Sequence, residues 1–324
     1  MAETQTIHVA FASDTVTAMP MTAAIASLLA TRAPTTRLEI HVLSCGMTPT
    51  EKDRAFKTVA DHGAGAANLH WHDITGANAT MLTRIYTDSD RPYPPANYAR
   101  LLVGEFLPAD ADRVIYLDID VVALTDLAPF WNLDMTDVTA LSIPDLPHTS
   151  GQPERLMGIV SEEDRARFGF DGKRPYFQAG VLMLKLAPLR SGLVDTIADV
   201  LRAYPQLTFP DQDALNITLA KEHRLIDPRW NSMTSVYWYK EGEELPYDAE
   251  MMRALQEEPF IVHYSGRPKP WEEGSTHPLA HHWQRFFEMT PWVERRRTLL
   301  TRAIDRVPRA RRVLGKRLRR LLGL

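Results

Sequence analysis

Cysteine is nearly missing from this sequence of 324 residues: Cys45 stands alone, which excludes an intrachain disulfide. A single thiol in an apolar run fits a reducing compartment and reads as a small core residue. No stretch of about 18 or more apolar residues occurs, which excludes a bilayer-spanning helix. The opening residues lack a basic segment followed by an apolar one, so no secretory signal is expected and the chain is read as cytoplasmic. The G-x-G-x-x-G fingerprint is absent too. The first apolar segment runs instead into Ser13-Asp14-Thr15, which argues against a dinucleotide site of that kind. There are no internal repeats. With 44% apolar and 24% charged residues, wholesale disorder is excluded as well.

What is present is unevenly distributed. The net charge is −4, yet residues 293–324 hold twelve Arg and Lys against Glu294 and Asp305. That segment carries a net +10 and leaves −14 for the remainder. Leu314, Leu318, Leu321 and Leu322 fall on one helical face, with Arg311, Arg312, Lys316, Arg317, Arg319 and Arg320 over much of the rest. A basic amphipathic helix of this kind predicts attachment to an anionic membrane surface. A helix packed on the main domain, or RNA-binding charge, is the alternative; no nucleic acid is expected. The organisation read from this is a catalytic domain over 1–285 and a basic amphipathic helical tail over 286–324.

The first third alternates strand-like and helix-like segments. Residues 7–12 (IHVAFA), 38–43 (LEIHVL) and 68–74 read as strands, and 18–32 as a helix. Thr48-Pro49-Thr50-Glu51 is a capping box with Pro at the first helical position. Such alternation predicts a mostly parallel, Rossmann-like α/β sheet flanked by helices, with ligands beyond the carboxyl ends of its strands. Residues 113–118 (RVIYLD) form the clearest strand; 138–143, 177–186 and 257–264 are others. Residues 190–203 and 211–221 read as helices, and 145–175 as a partly helical excursion over the site.

Asp118-Ile119-Asp120 ends the clearest strand, and Val121-Val122 follow. Carboxylates at i and i+2 on an extended segment point the same way. Confined between buried segments they repel each other unless a hard cation shares them, and Mg²⁺ or Mn²⁺ fits. His263, at the end of another strand, can add an imidazole nitrogen, which favours Mn²⁺. In the following Tyr264-Ser265-Gly266-Arg267-Pro268-Lys269-Pro270-Trp271, Gly266 permits close backbone approach and Lys269 supplies charge for a diphosphate. In Pro210-Asp211-Gln212-Asp213, Asp211 is expected to cap a helix.

The sequence resembles glycosyltransferase family 8, most of all the bacterial lipopolysaccharide and lipooligosaccharide galactosyl- and glucosyltransferases. The residues that carry the likeness are Phe11-Ala12-Ser13-Asp14, Tyr98-Ala99-Arg100-Leu101, the segment 114–122, Ala179-Gly180-Val181-Leu182, Asp211-Gln212-Asp213, His263-Tyr264-Ser265-Gly266 and Lys269-Pro270-Trp271. The resemblance implies the nucleotide-diphospho-sugar transferase fold. It implies retaining transfer of a hexose from a UDP-sugar, with Mn²⁺, to a glycan or glycolipid acceptor in surface-glycan synthesis. It makes Asp118, Asp120 and His263 the metal ligands. Donor contacts fall on Ala12, Ser13, Asp14 (the uracil edge), Arg100, Ile119, Gln178, Ala179, Gly180, Ser265, Gly266 and Lys269. Asp145 and Asp211 hold sugar hydroxyls, and Gln212 lies beneath the anomeric carbon, with Asp213 the alternative carboxylate there. A lipid-linked acceptor would place the enzyme on the inner face of the cytoplasmic membrane.

Two departures stand out. The family commonly has Asn-Ala-Gly where this chain has Gln178-Ala179-Gly180, and Thr15-Val16-Thr17 follow Asp14 where polar or aromatic residues are common. Rival readings are a sugar-phosphate nucleotidyltransferase, disfavoured because its glycine-rich basic loop is missing, and a non-catalytic carbohydrate-binding protein on the same fold.

Overall fold

The strand-like segments assemble in the computed structural model as a seven-stranded sheet with a small three-stranded sheet beside it. The structure describes residues 4–76, 79, 80, 82, 95–146, 151–239 and 247–294. The basic tail expected over 286–324 lies outside the described residues from 295 on; its first residues are described, and Phe286, Phe287 and Trp292 among them are buried.

The large sheet runs β3-β2-β1-β4-β7-β6-β8. Its strands are β1 (Gln5–Ser13), β2 (Thr36–Ser44), β3 (Ala67–Asp73), β4 (Arg113–Leu117), β6 (Ala140–Pro144), β7 (Phe177–Lys185) and β8 (His223–Leu225). Strands β1 to β4 pair in parallel, as do β6 and β8, while β7 runs antiparallel to both β4 and β6. The expectation of a mostly parallel α/β sheet holds, with β7 as the reversed strand. Both faces of β1 are covered. Ile7, Val9 and Phe11 enter one core, and Ala10 and Ala12 the other. That double burial is why its sequence is nearly continuously apolar.

Helix α1 (Ala18–Thr31) is apolar almost all round and buries eleven of its fourteen residues. It lies in the first core, and its Ser27 Oγ accepts from the backbone N–H of Ala123 at 2.9 Å. Helix α2 (Pro49–His62) starts at the capping box the sequence indicates, with Thr48 N–H donating to Glu51 at 2.8 Å. Cys45 is half-buried against the second core; burial pushes its thiol up to about 11, so it stays protonated near neutrality.

The chain turns back over the site through a short helix α3 (Pro95–Ala99), and the excursion after β6 contains α4 (Gln152–Ile159). The helix expected over 190–203 breaks at Gly192, whose φ of 107° is open to glycine, and α5 (Val194–Ala203) follows. Helix α6 (Pro210–Thr218) begins one residue earlier than expected. Pro210 takes the first helical position, so Phe209 is the N-cap and Asp211 lies inside the first turn. The expectation that Asp211 caps this helix is therefore corrected.

The small sheet runs β5-β10-β9, with β5 (Val121–Ala123), β9 (Ser232–Met233) and β10 (Ile261–His263). The strand expected over 257–264 thus shrinks to three residues and leaves the main sheet. Its register decides the site. β10 pairs antiparallel with β5, His263 opposite Val121, and parallel with β9, His263 opposite Met233. Three chain segments remote in sequence are thereby brought to one point: the end of β4, the end of β10 and the residues just before β9.

Candidate active site

At that point lie Asp118, Asp120 and His263, each offering a ligand atom within 4.8 Å of the others. Tyr264 N–H donates to Asp120 O at 2.9 Å, extending the small sheet and fixing the acids against β10. Each carboxylate spends one oxygen on a fixed cation. Arg100 donates to Asp118 Oδ1 at 2.9 Å, and Lys269 Nζ to Asp120 Oδ2 at 2.6 Å. The second oxygens face the shared point: Asp120 Oδ1 is 3.2 Å from His263 Nε2, and Asp118 Oδ2 lies over Gly180. Burial alone would raise the Asp120 carboxyl, but His263 and Lys269 outweigh it and hold the group well below the usual carboxylate range. Two carboxylate oxygens and one imidazole nitrogen form a donor set suited to Mn²⁺ or Mg²⁺.

Gly180 makes the cradle possible. A Cβ there would lie 2.6 Å from Asp118 Oδ2, 2.7 Å from His263 Cε1 and 2.9 Å from Gln178 Oε1. Any side chain would occupy the space in which the three ligands converge. The residues present therefore fit a divalent cation.

Arg100, 7% exposed, ties this centre to α6. Its Nε lies 3.2 Å from Asp211 and its guanidinium donates to Ala179 O at 2.7 Å. Burial raises the Asp211 carboxyl, with Arg100 opposing the shift in part. Gln212 accepts from Ala179 N–H at 2.9 Å and donates to Asp145 Oδ2 at 2.9 Å. Asp145, Ala179, Asp211 and Gln212 are thus one connected group beside the metal centre.

Asp213 is different. Its fully buried carboxylate accepts from Tyr176 Oη at 2.6 Å, Arg155 at 2.7 Å, and the backbone N–H groups of Thr208 and Phe209 at 2.9 and 3.0 Å. Four donors saturate it, so it anchors the start of α6 and the Arg155 side chain of α4.

A groove of about 220 Å³ opens between the ends of β1 and β4, lined by Ala12, Asp14, Arg100, Asp118, Ile119 and Asp120 among others. This is the switch point of the sheet, where β1 is flanked on one side by β2 and on the other by β4. Asp14 turns Oδ1 into the β1–α1 turn, accepting from Val16 N–H, Thr17 N–H and Thr17 Oγ1. Ser13 is fully buried and bonds Thr17, so its part is to shape that turn rather than line the groove. On the far side, exposed Ser265 and half-buried Gly266 lead to Lys269, whose Nζ also donates to Tyr264 O at 2.5 Å.

Behind Gly266 lies a second cavity of about 210 Å³, lined by Thr234, Tyr237, Trp238, Arg267, Pro268 and His277 among others. Trp238 is 52% exposed, and its ring sits 3.1 Å from where a Gly266 Cβ would be. Sequence reasoning missed Trp238, Tyr176, Arg155 and Asn231. Asn231 donates to Gln178 Oε1 at 2.9 Å and meets His263 Nδ1 at 2.8 Å. An aromatic beside an amide at Trp230-Asn231 was the sole local signal, and its partners lie 32 and 53 residues away.

General stress protein A of Bacillus subtilis (strain 168) is 23% identical over 303 residues, covering 90% of this chain and 96% of that protein. A lipopolysaccharide 1,2-glucosyltransferase of Escherichia coli is 26% identical over 204 residues, 62% of this chain; the aligned part is 56% of that enzyme's length. Among solved structures, the galactosyltransferase LgtC, crystallised with donor and acceptor sugar analogues, superposes with a TM-score of 0.69 at 23% identity. That match covers 94% of this chain and 99% of LgtC, and it shows the shared fold. The sequence profile of Glycosyl transferase family 8 matches residues 8–275, a span that takes in both acids of the strand-end pair, the β10 histidine and the lysine beyond it. This chain belongs to glycosyl transferase family 8.

Proposed function

We propose that the protein is a retaining hexosyltransferase that moves galactose or glucose from a UDP-sugar to a glycan or glycolipid acceptor in surface-glycan synthesis. The observation that carries this reading is the Asp118–Asp120–His263 centre, flanked by Lys269 and opening on the β1/β4 groove. Mn²⁺, with Mg²⁺ the alternative, would be held by those three residues and supply charge to the leaving diphosphate. Asp14 and Ala12 hold the nucleoside end in the groove. Lys269 reaches the diphosphate from the loop after β10, and a cation fixed in place before charge develops lowers the barrier without reorganising. Asp145 and Asp211 bind sugar hydroxyls. Gln212, oriented by Ala179 and Asp145, lies beneath the anomeric carbon.

Retention requires attack on the face the leaving group vacates, or two inversions. A double displacement needs an available nucleophile, and Asp213 is saturated by four donors. The reading is therefore front-face attack, with the departing phosphate oxygen taking the acceptor proton. Trp238, beside the loop that carries Lys269, offers the acceptor an aromatic shelf. A screen of nucleotide sugars with Mn²⁺ tests the proposal. UDP-galactose or UDP-glucose is expected to be consumed and the hexose to keep its anomeric configuration. No turnover of any UDP-sugar, or a sugar adduct trapped on Asp213, contradicts it.

The tail belongs to the same reading. No helix among the described residues is long and apolar enough to cross a membrane. We propose that the basic segment holds the enzyme on the inner face of the cytoplasmic membrane, where a lipid-linked acceptor lies. Each cation near an anionic surface contributes about 1 kcal/mol, screened by salt. The full chain is expected to sediment with phosphatidylglycerol vesicles at low salt and a chain lacking 293–324 to stay in solution. Equal sedimentation of both contradicts it.

A further inference from the structure

The Gly180 backbone N–H donates to Gln178 Oε1 at 2.6 Å. A backbone N–H has no alternative role, so the Gln178 atom facing it is the amide oxygen. An amide oxygen only accepts, so the Asn231 atom 2.9 Å from it is the amide nitrogen. The other end of Asn231 is then its oxygen, 2.8 Å from His263 Nδ1. That oxygen also only accepts, so Nδ1 carries the imidazole proton. Nε2 is then the nitrogen turned to the point where the three ligands converge, 3.2 Å from Asp120 Oδ1. Amide and imidazole orientations are otherwise interchangeable by eye; here a covalently fixed donor decides each one in turn.

We propose that Gly180 N–H, Gln178 and Asn231 form a relay that fixes the His263 tautomer and aims Nε2 at the cation, which makes Asn231 a positioning residue for the metal. The proposal rests on the metal reading above. It assigns a task to Gln178 as well. In the family's common Asn-Ala-Gly the amide is one methylene shorter; the longer Gln178 both curls back onto Gly180 N–H and reaches Asn231. Gln178 is thus committed to the metal side of the site. Asn231 is 1% exposed and His263 2%, so water cannot replace either contact. Partners of metal-bound histidines commonly contribute about 10–100-fold to metal affinity.

Two measurements on the full-length chain test this. The first is Mn²⁺ affinity, followed by loss of the free Mn²⁺ electron paramagnetic resonance signal. Asn231→Ala is expected to weaken Mn²⁺ binding about 10–100-fold. Gln178→Leu is expected to weaken it less, and the double variant no more than Asn231→Ala alone, since both act through one chain. Folded Asn231→Ala that binds Mn²⁺ within twofold of wild type overturns the proposal. The second measurement needs no variant. In histidine-labelled, metal-free wild type at alkaline pH, long-range ¹H–¹⁵N correlations are expected to show His263 protonated at Nδ1. Protonation at Nε2, or a mixture, overturns the proposal even where Asn231→Ala does not fold. Wild type that binds no Mn²⁺ yet holds the Nδ1–H tautomer overturns the role toward the metal and the metal reading itself, and leaves the relay standing.

Discussion

Asp120→Asn is expected to lose transfer by about 10³-fold or more while keeping its fold, and Asp118→Asn to do the same. Removing one charge-stabilising donor typically lowers turnover by about 10²–10³-fold. Here the change takes away a charged ligand and disturbs a second cation at once. Asp120 presents one oxygen to the His263 side and the other to Lys269. An amide in its place supplies no charge for a cation and turns an N–H toward one of two sites that need an acceptor. Lys269 retains Tyr264 O as a partner, so the loop keeps an anchor. Asp118→Asn also leaves Arg100 facing a neutral group, with Asp211 as its remaining charge partner. Initial rates at saturating donor and Mn²⁺, with circular dichroism for the fold, check both variants. Wild-type rates in either variant, or full activity of the wild type in EDTA, contradict the metal role.

Gly180→Ala is the second large effect, and nothing but a methyl group is added. Its Cβ would fall within 3 Å of Asp118, His263 and Gln178 together. Gly180 cannot back away. Its N–H is bonded to Gln178, its carbonyl accepts from Asp118 N–H at 2.7 Å, and it lies inside β7. The side chains must move instead, and two of the three, Asp118 and His263, are metal ligands. A displacement of about 1 Å in such a site lowers turnover on the order of 10²-fold. We expect at least that loss, together with weakened Mn²⁺ binding. Alanine is the better strand residue by about 0.5–1 kcal/mol of backbone entropy, which offsets part of the crowding. Gly158→Ala is the control: it lies in α4 with nothing near its Cβ position, and its rate should match wild type. Turnover of Gly180→Ala within threefold of wild type would show that the cradle is wider than these distances imply.

Much of the fold was readable because its signals are local. The double burial of β1 and β4 makes apolar runs, and the Thr48–Glu51 box marks where α2 begins. The strand-end acids were visible for the same reason: they interrupt a buried segment. The direction of β7 was not visible, since a strand covered on both faces looks alike in either sense. The small sheet was harder still. Two of its strands have three residues and one has two, too short for any alternation to show. Yet it is this sheet that sets His263 beside Asp120 and Asn231 beside His263. Asp211, Gln212 and Asp213 were marked as a group, but sequence spacing could not separate their tasks. Pro210 at the first helical position turns Asp211 to Arg100 and leaves Asp213 to anchor the helix start. The Asn231 relay depends on contacts across three segments, and no short window holds it.

The central claim is that Asp118, Asp120 and His263 hold the cation at which the nucleoside diphosphate leaves. Crystals grown with MnCl₂ and UDP, with anomalous data collected near the manganese edge, test it most directly. One manganese peak is expected at coordination distance from Asp118 Oδ2, Asp120 Oδ1 and His263 Nε2, with the diphosphate on its open side toward Lys269. UDP bound in the β1/β4 groove with no manganese between those three residues would contradict it.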